Sequence, residues 1–328
     1  MPSQSKSCLS IFQGGATIKD EQPKTSSDSR KISDALHPTD PPHHKNRVAD
    51  VSLLLVALIW GINLAVMKMA IINIDPFVFN SVRLTLSACV LGFCVWLENK
   101  KRRQPALSKT TPSGLKKWLT IVAFAIFTGA VYQIIFIIGM HRTTAGNTAL
   151  IMSSMPMWTA ILAFIVLREK IGVAWLGLMI TFLGTLVVTL QKEAISLEAG
   201  NLEGNLLILL SALAWATGAV ISRPMLNYVS PIRLAFYSTA GTLPLHYLMP
   251  VFFGTQDFDL VWEPEIMACI IYSGVFSTGL AYAMWNYGVQ QLGASHASVY
   301  QNLVPLIALV SAWFFLNETI TLIQLVGG

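Results

Sequence analysis

Charge is what this 328-residue sequence has least of: Asp, Glu, Lys and Arg together make up 12%, against roughly 25% in an ordinary soluble domain. Carboxylates are scarcer still inside the long apolar runs, where Glu98, Glu169 and Glu318 all fall at the ends and no Asp or Glu falls in the middle. A carboxylate proton relay of the kind pumps use therefore has no carrier, and sodium has no hard ligand. Facilitated diffusion or exchange is then as well supported as proton antiport. The four cysteines, Cys8, Cys89, Cys94 and Cys269, show no metal-type spacing, so neither a structural disulfide nor a metal is expected. His141, His246 and His296 are scattered, with no His-Glu-x-x-His pattern and no nucleophile beside a base, which argues against an enzyme and against any cofactor.

What is present is apolar surface. Hydrophobic residues make up 54% and mean hydropathy is +0.58. Nine runs approach the roughly 20 residues that cross a bilayer core. They are 51–72, 77–97, 118–140, 147–167, 171–190, 205–222, 232–253, 266–288 and 295–316. A tenth begins near Ile320 and reaches only Gly328, so a truncated last helix is expected. Residues 1–49 are rich in Ser, Pro, Lys, Asp and Thr, too polar to offset the entropy of ordering, and read as a disordered tail. His43, His44, Lys45 and Arg47 end that tail and suit anionic headgroups.

The net charge of +5 is distributed as a membrane protein requires rather than as a nucleic-acid binder would. Basic residues gather in alternate loops: Lys100, Lys101, Arg102 and Arg103 after the second run, Arg168 and Lys170 after the fourth, Arg233 after the sixth. The loop after the seventh is acidic, with Asp257, Asp259, Glu263 and Glu265. The positive-inside asymmetry then puts the N-terminus in the cytoplasm. A multi-pass inner-membrane protein is expected, with the lipid bilayer and a small-molecule substrate as partners; a homodimer is compatible with this reading.

One pattern occurs twice. Trp60, Lys68 and Pro76 keep the spacing of Trp215, Arg223 and Pro231; Thr128-Gly129 with Tyr132 matches Thr278-Gly279 with Tyr282; Pro156 and Glu169 match Pro305 and Glu318. Offsets of 149 to 155 held over so many landmarks indicate two copies of one unit, here 51–190 and 205–328. Five helices is an odd number, so the second copy must lie upside down relative to the first. The expected fold is all-α and polytopic, ten transmembrane helices in two inverted five-helix repeats, the architecture of secondary transporters.

Trp60-Gly61-Ile62-Asn63 with Lys68, then Pro76, Phe79 and Arg83, then Thr148 through Pro156 and Leu167-Arg168-Glu169 resemble the drug/metabolite transporter superfamily and its EamA-type domain. Ala214-Trp215, Ala297-Ser298 through Pro305, and Phe315 through Glu318 before Thr321 carry the resemblance in the second copy. It implies ten helices in two inverted halves, a central cavity lined mainly by the first, third, fourth, sixth, eighth and ninth, and export of small metabolites such as amino acids. Two positions break the symmetry: Ala216 stands where the first copy has Gly61, and Ser238 where it has Arg83.

Polar groups within hydrocarbon are costly and so mark candidate sites. Asn63, Arg83, Gln133, Asn286, Gln301 and Asn302 are candidate substrate contacts, with interhelical hydrogen bonding as the alternative. Tyr132, Tyr282 and Trp285, together with Trp60, are candidate walls, the alternative being plain packing. Lys68 is assigned to gating or to snorkelling toward the interface, whereas Arg223 is assigned to snorkelling. Pro156 and Pro305 each free a helix carbonyl and are candidate kinks. A carboxylate on the substrate would suit Lys68 and Arg83. His246 is expected to be packed and hydrogen-bonded. The leading rival is uptake or exchange of a phosphorylated or nucleotide-linked metabolite, and outside transport a receptor or scaffold. Small residues at every fourth position, Ala57-Gly61-Ala65 and Ala214-Gly218-Ser222, with Ser273-Ser277-Ala281 in the eighth run, are expected to let helices approach closely.

Overall fold

The computed structural model describes residues 43–100, 114–168, 199–255 and 258–317, with isolated positions between 176 and 183. These residues form helices and turns. We number the long helices α1 (His43–Asn73), α2 (Pro76–Lys100), α3 (Gly114–His141), α4 (Ala145–Leu167), α5 (Ala199–Met225), α6 (Pro231–Phe253), α7 (Pro264–Leu292) and α8 (Ala294–Leu316). Seven of the eight are long and apolar enough to cross a membrane. The eighth, α6, is less apolar because Ser238, Thr239, Thr242 and His246 line its buried face. The expected fifth and tenth helices lie outside the described residues. α1 begins at His43 and so extends into what composition reads as tail, since lysine, arginine and alanine all suit a helix in water.

Each helix turns an apolar side outward. Leu54 and Leu58 on α1, Phe93 and Trp96 on α2, Phe252 and Phe253 on α6, and Phe314 on α8 are all exposed, a surface that only lipid solvates cheaply. Inward, the small residues are buried as their spacing predicts. A Cβ placed on Gly61 would come within 2.6 Å of Ile307 on α8, and one on Gly218 would collide with Thr128 on α3.

Landmarks that repeat in sequence recur in matching local structures. Asp75 and Ser230 precede the prolines that open α2 and α6, and both cap those helices: Asp75 accepts from the Phe77 and Val78 amides, Ser230 from that of Arg233. Arg168 and Asn317 end α4 and α8 in the left-handed conformation, the usual way to satisfy terminal carbonyls. α3 and α7 both contain π-helical segments, Ala125–Val131 and Tyr272–Ala281. α4 loosens into a turn at Ser153 and Ser154 before Pro156; α8 tightens at Tyr300–Asn302 before Pro305.

Packing follows the same exchange. α1 lies against α7 and α8, and α5 against α3 and α4; α2 packs on α7, α6 on α3, and α2 on α6. Helices from the two copies therefore interleave.

Candidate functional site

The π-helical segments place the first functional groups. Extra winding displaces carbonyls from the α ladder, and side chains of other helices take them up. The Gly129 carbonyl in α3 accepts from His246 Nε2 at 2.7 Å, which fixes the proton on that nitrogen, while Nδ1 faces the Asn80 amide at 3.2 Å. His246 is thus packed and hydrogen-bonded, as expected. The Ser277 carbonyl in α7 accepts from Trp60 Nε1 at 3.2 Å.

Thr128 and Thr278 sit in the same two segments and present matching hydroxyls. Thr128 Oγ1 meets Ser238 Oγ of α6 at 2.7 Å, and Thr278 Oγ1 accepts from Arg83 Nη1 of α2 at 2.7 Å. Arg83 Nη2 also donates to Gln133 Oε1 at 2.7 Å. Arg83 is 2% exposed, and its Nε–H has no acceptor among the described residues.

These groups open onto a cavity between helices of both copies. Arg83, Gln133 and Thr278 form one side and Asn63 and Gln301 supply further polar groups. The walls are aromatic: Trp60, Trp215, Tyr132, Tyr282 and Phe136. Trp60 and Trp215, which are repeat equivalents, meet edge to face at 5.3 Å, and Trp285 packs against both at 5.6 and 6.0 Å. Met67, Met152 and Met155 complete the lining with flexible thioethers. Among the described residues that line it there is no Asp or Glu, and Arg83 is the only cation.

Three polar side chains at this cavity are underused, besides Trp215, whose Nε1 also has no partner among the described residues. Asn63 donates to the Met67 sulfur at 3.1 Å, but its Oδ1 has no partner among the described residues. Neither Gln301 Nε2 nor Oε1 has one either, although the residue is only 4% exposed. Arg83 Nε is the third. Buried polar atoms are rarely left unsatisfied, and those around this cavity have hydrogen-bonding capacity to offer to water or a polar guest.

The model of the EamA-like transporter family matches residues 47–190 and again 202–328. The chain belongs to the EamA-like transporter family. An uncharacterized transporter of Bacillus subtilis, YoaV, is 26% identical over 279 residues, covering 84% of this chain and 91% of the relative. An uncharacterized transporter of Archaeoglobus fulgidus is 25% identical, covering 84% and 93%. A WAT1-related chloroplastic protein of Arabidopsis thaliana is 26% identical, covering 82% of this chain and 64% of its own. A solved crystal structure superimposes with a TM-score of 0.65 at 16% identity, covering 85% of this chain and 91% of that one, and so shares the fold. The chain is a multi-pass membrane protein of a transporter family, and the resemblance drawn from its motifs was correct.

Of the residues proposed from sequence, Asn63, Arg83, Tyr132, Gln133, Tyr282, Gln301 and Pro305 line the cavity. Trp285 stands behind Trp60 and Trp215. Asn286 is buried, donates to the Tyr282 carbonyl at 3.1 Å and lies off the lining. Asn302 and Pro156 lie off it as well. The Lys68 ammonium donates to carbonyls at the end of α3 and just beyond it, Met140 at 3.0 Å and Thr143 at 2.6 Å. Arg223 does the same for α7, donating to the Gln290 carbonyl at 2.8 Å. Cations at helix C-termini satisfy orphan carbonyls and oppose the dipole. Trp215 and the three methionines are wall residues that sequence reasoning passed over. The repeat itself could have nominated Trp215, as the partner of Trp60.

Proposed function

We propose that this protein is a secondary transporter, an exporter of small organic metabolites such as amino acids, working by alternating access between two inverted five-helix halves. One observation carries the reading: the cavity lies where helices of both copies interleave, and its lining holds buried polar groups with spare hydrogen-bonding capacity. A scaffold has no use for such a chamber. Rocking one half against the other would expose it first on one face and then on the other. The same reading puts the protein in the inner membrane with its N-terminus in the cytoplasm. Uptake or exchange of a phosphorylated compound is disfavoured, because a dianion would meet only one cation among the described lining residues.

Counterflow in proteoliposomes tests the proposal. Vesicles holding the full chain and loaded with an unlabelled amino acid or organic acid should accumulate the labelled form faster than protein-free vesicles. Absence of acceleration across the whole panel, with protein verified as folded, would sink it.

A further inference from the structure

Arg83 is the one cation among the described lining residues, and it keeps donors unspent. A guanidinium offers five N–H donors; Arg83 spends two on neutral oxygens, Gln133 Oε1 and Thr278 Oγ1, both at 2.7 Å. Among the described residues no carboxylate forms an ion pair with it, and its Nε–H has no acceptor at all. A full positive charge buried with only neutral partners is costly, and the cost is recovered when an anion arrives. Nε and one Nη lie side by side in the planar fork and match the two oxygens of a carboxylate.

We propose that the ligand of this cavity is an organic monocarboxylate with a flat apolar body, bound by Arg83, and that Gln301 is its second recognition group. The inference rests on reading the cavity as the carrier's binding site. Gln133 and Thr278 hold the guanidinium in place while leaving its remaining donors for the guest. Trp60, Trp215 and Tyr132 give the body an aromatic slot, and the methionines let that slot adapt to more than one shape. Gln301, with both polar atoms unspent, serves a hydroxyl, amine or carbonyl elsewhere on the ligand. The charge selects the class: one cation matches one negative charge, so a neutral amide of the same shape forfeits the pairing, a cation is repelled, and a phosphate dianion is left half-compensated.

The test uses three probes of one shape: phenylacetate, phenylacetamide and 2-phenylethylamine, carrying negative, zero and positive charge. Binding to the detergent-purified full chain is read by tryptophan fluorescence, since Trp60 and Trp215 line the cavity. Phenylacetate should bind about tenfold or more tightly than either of the others, and inorganic phosphate should not displace it. Arg83→Gln should erase the ranking, Arg83→Lys should keep part of it, and Gln301→Ala should weaken a ring-hydroxylated phenylacetate about three- to tenfold while leaving phenylacetate and the charge ranking unchanged. Equal binding of the three probes to the unaltered chain, or none by phenylacetate, would overturn the proposal, whether or not Arg83→Gln folds. Phenylacetate that binds but shows no counterflow would instead strike the carrier reading and leave the anion site standing.

Discussion

Where the first half of the chain places a guanidinium, the second places a hydroxyl. Arg83 and Ser238 hold equivalent positions on α2 and α6, and each reaches a threonine in the π-helical segment of the opposite copy, Thr278 or Thr128. The contact is the same and the chemistry is not. A symmetric pair of arginines would set two like charges near one cavity, which is repulsive in a low dielectric. A symmetric pair of serines would leave nothing to hold an anion. The duplication therefore supplies the frame, and the departure from symmetry supplies one charge on one side. By contrast Lys68 and Arg223, which cap α3 and α7, stayed basic in both copies because both helix ends need the same cap.

The sharpest way to break this comparison is to exchange its members. Arg83→Gln should cut carboxylate counterflow about a hundredfold, the scale of removing one partner of a buried charge pair, whereas Ser238→Ala should change it less than about threefold. Equal losses would mean that both positions serve packing alone. Next in size, Gly61→Leu forces a side chain against Ile307 and should lower stability by about 3 kcal/mol or more, read as an earlier thermal unfolding in detergent. The equivalent Ala216→Leu sharpens the point, since that position already accommodates a Cβ and should lose less. Lys68→Met and Arg223→Met, each stripping a helix C-terminus of its cation, should each cost about 1–2 kcal/mol in the same assay. Asp75→Ala and Ser230→Ala remove the matching N-caps and should each cost about 1 kcal/mol; a large difference between them would show that the two helix starts are not equivalent.

Much of this was legible beforehand, for reasons that can be traced residue by residue. Apolar runs found the helices because hydrocarbon demands length. Polar residues inside those runs led to the cavity because a buried Arg83 or Gln301 is too costly to occur without a use. The methionines were invisible, since Met67 and Met155 in an apolar helix look like any core or lipid-facing residue. That Lys68 bonds the end of α3 was not legible, because snorkelling and capping both put an ammonium near a helix end, and only the position of α3 separates them. The π-helical segments could not be foreseen from composition, because winding is set by how side chains from other helices claim the carbonyls, as His246 claims that of Gly129.

Those two windings make the protein vulnerable in an unusual way. A π turn carries more residues for its length of axis than the α-helix on either side, and that extra residue is what frees a carbonyl for another helix to use. Removing a single residue such as Ala130 would let α3 wind as an uninterrupted α-helix and draw the Gly129 carbonyl back into its own ladder, leaving His246 Nε2 without its acceptor. Hydropathy, composition and span would hardly register the change. Among one-codon lesions, an in-frame loss inside Ala125–Val131 or Tyr272–Ala281 would do more harm than most replacements of the residues it spares.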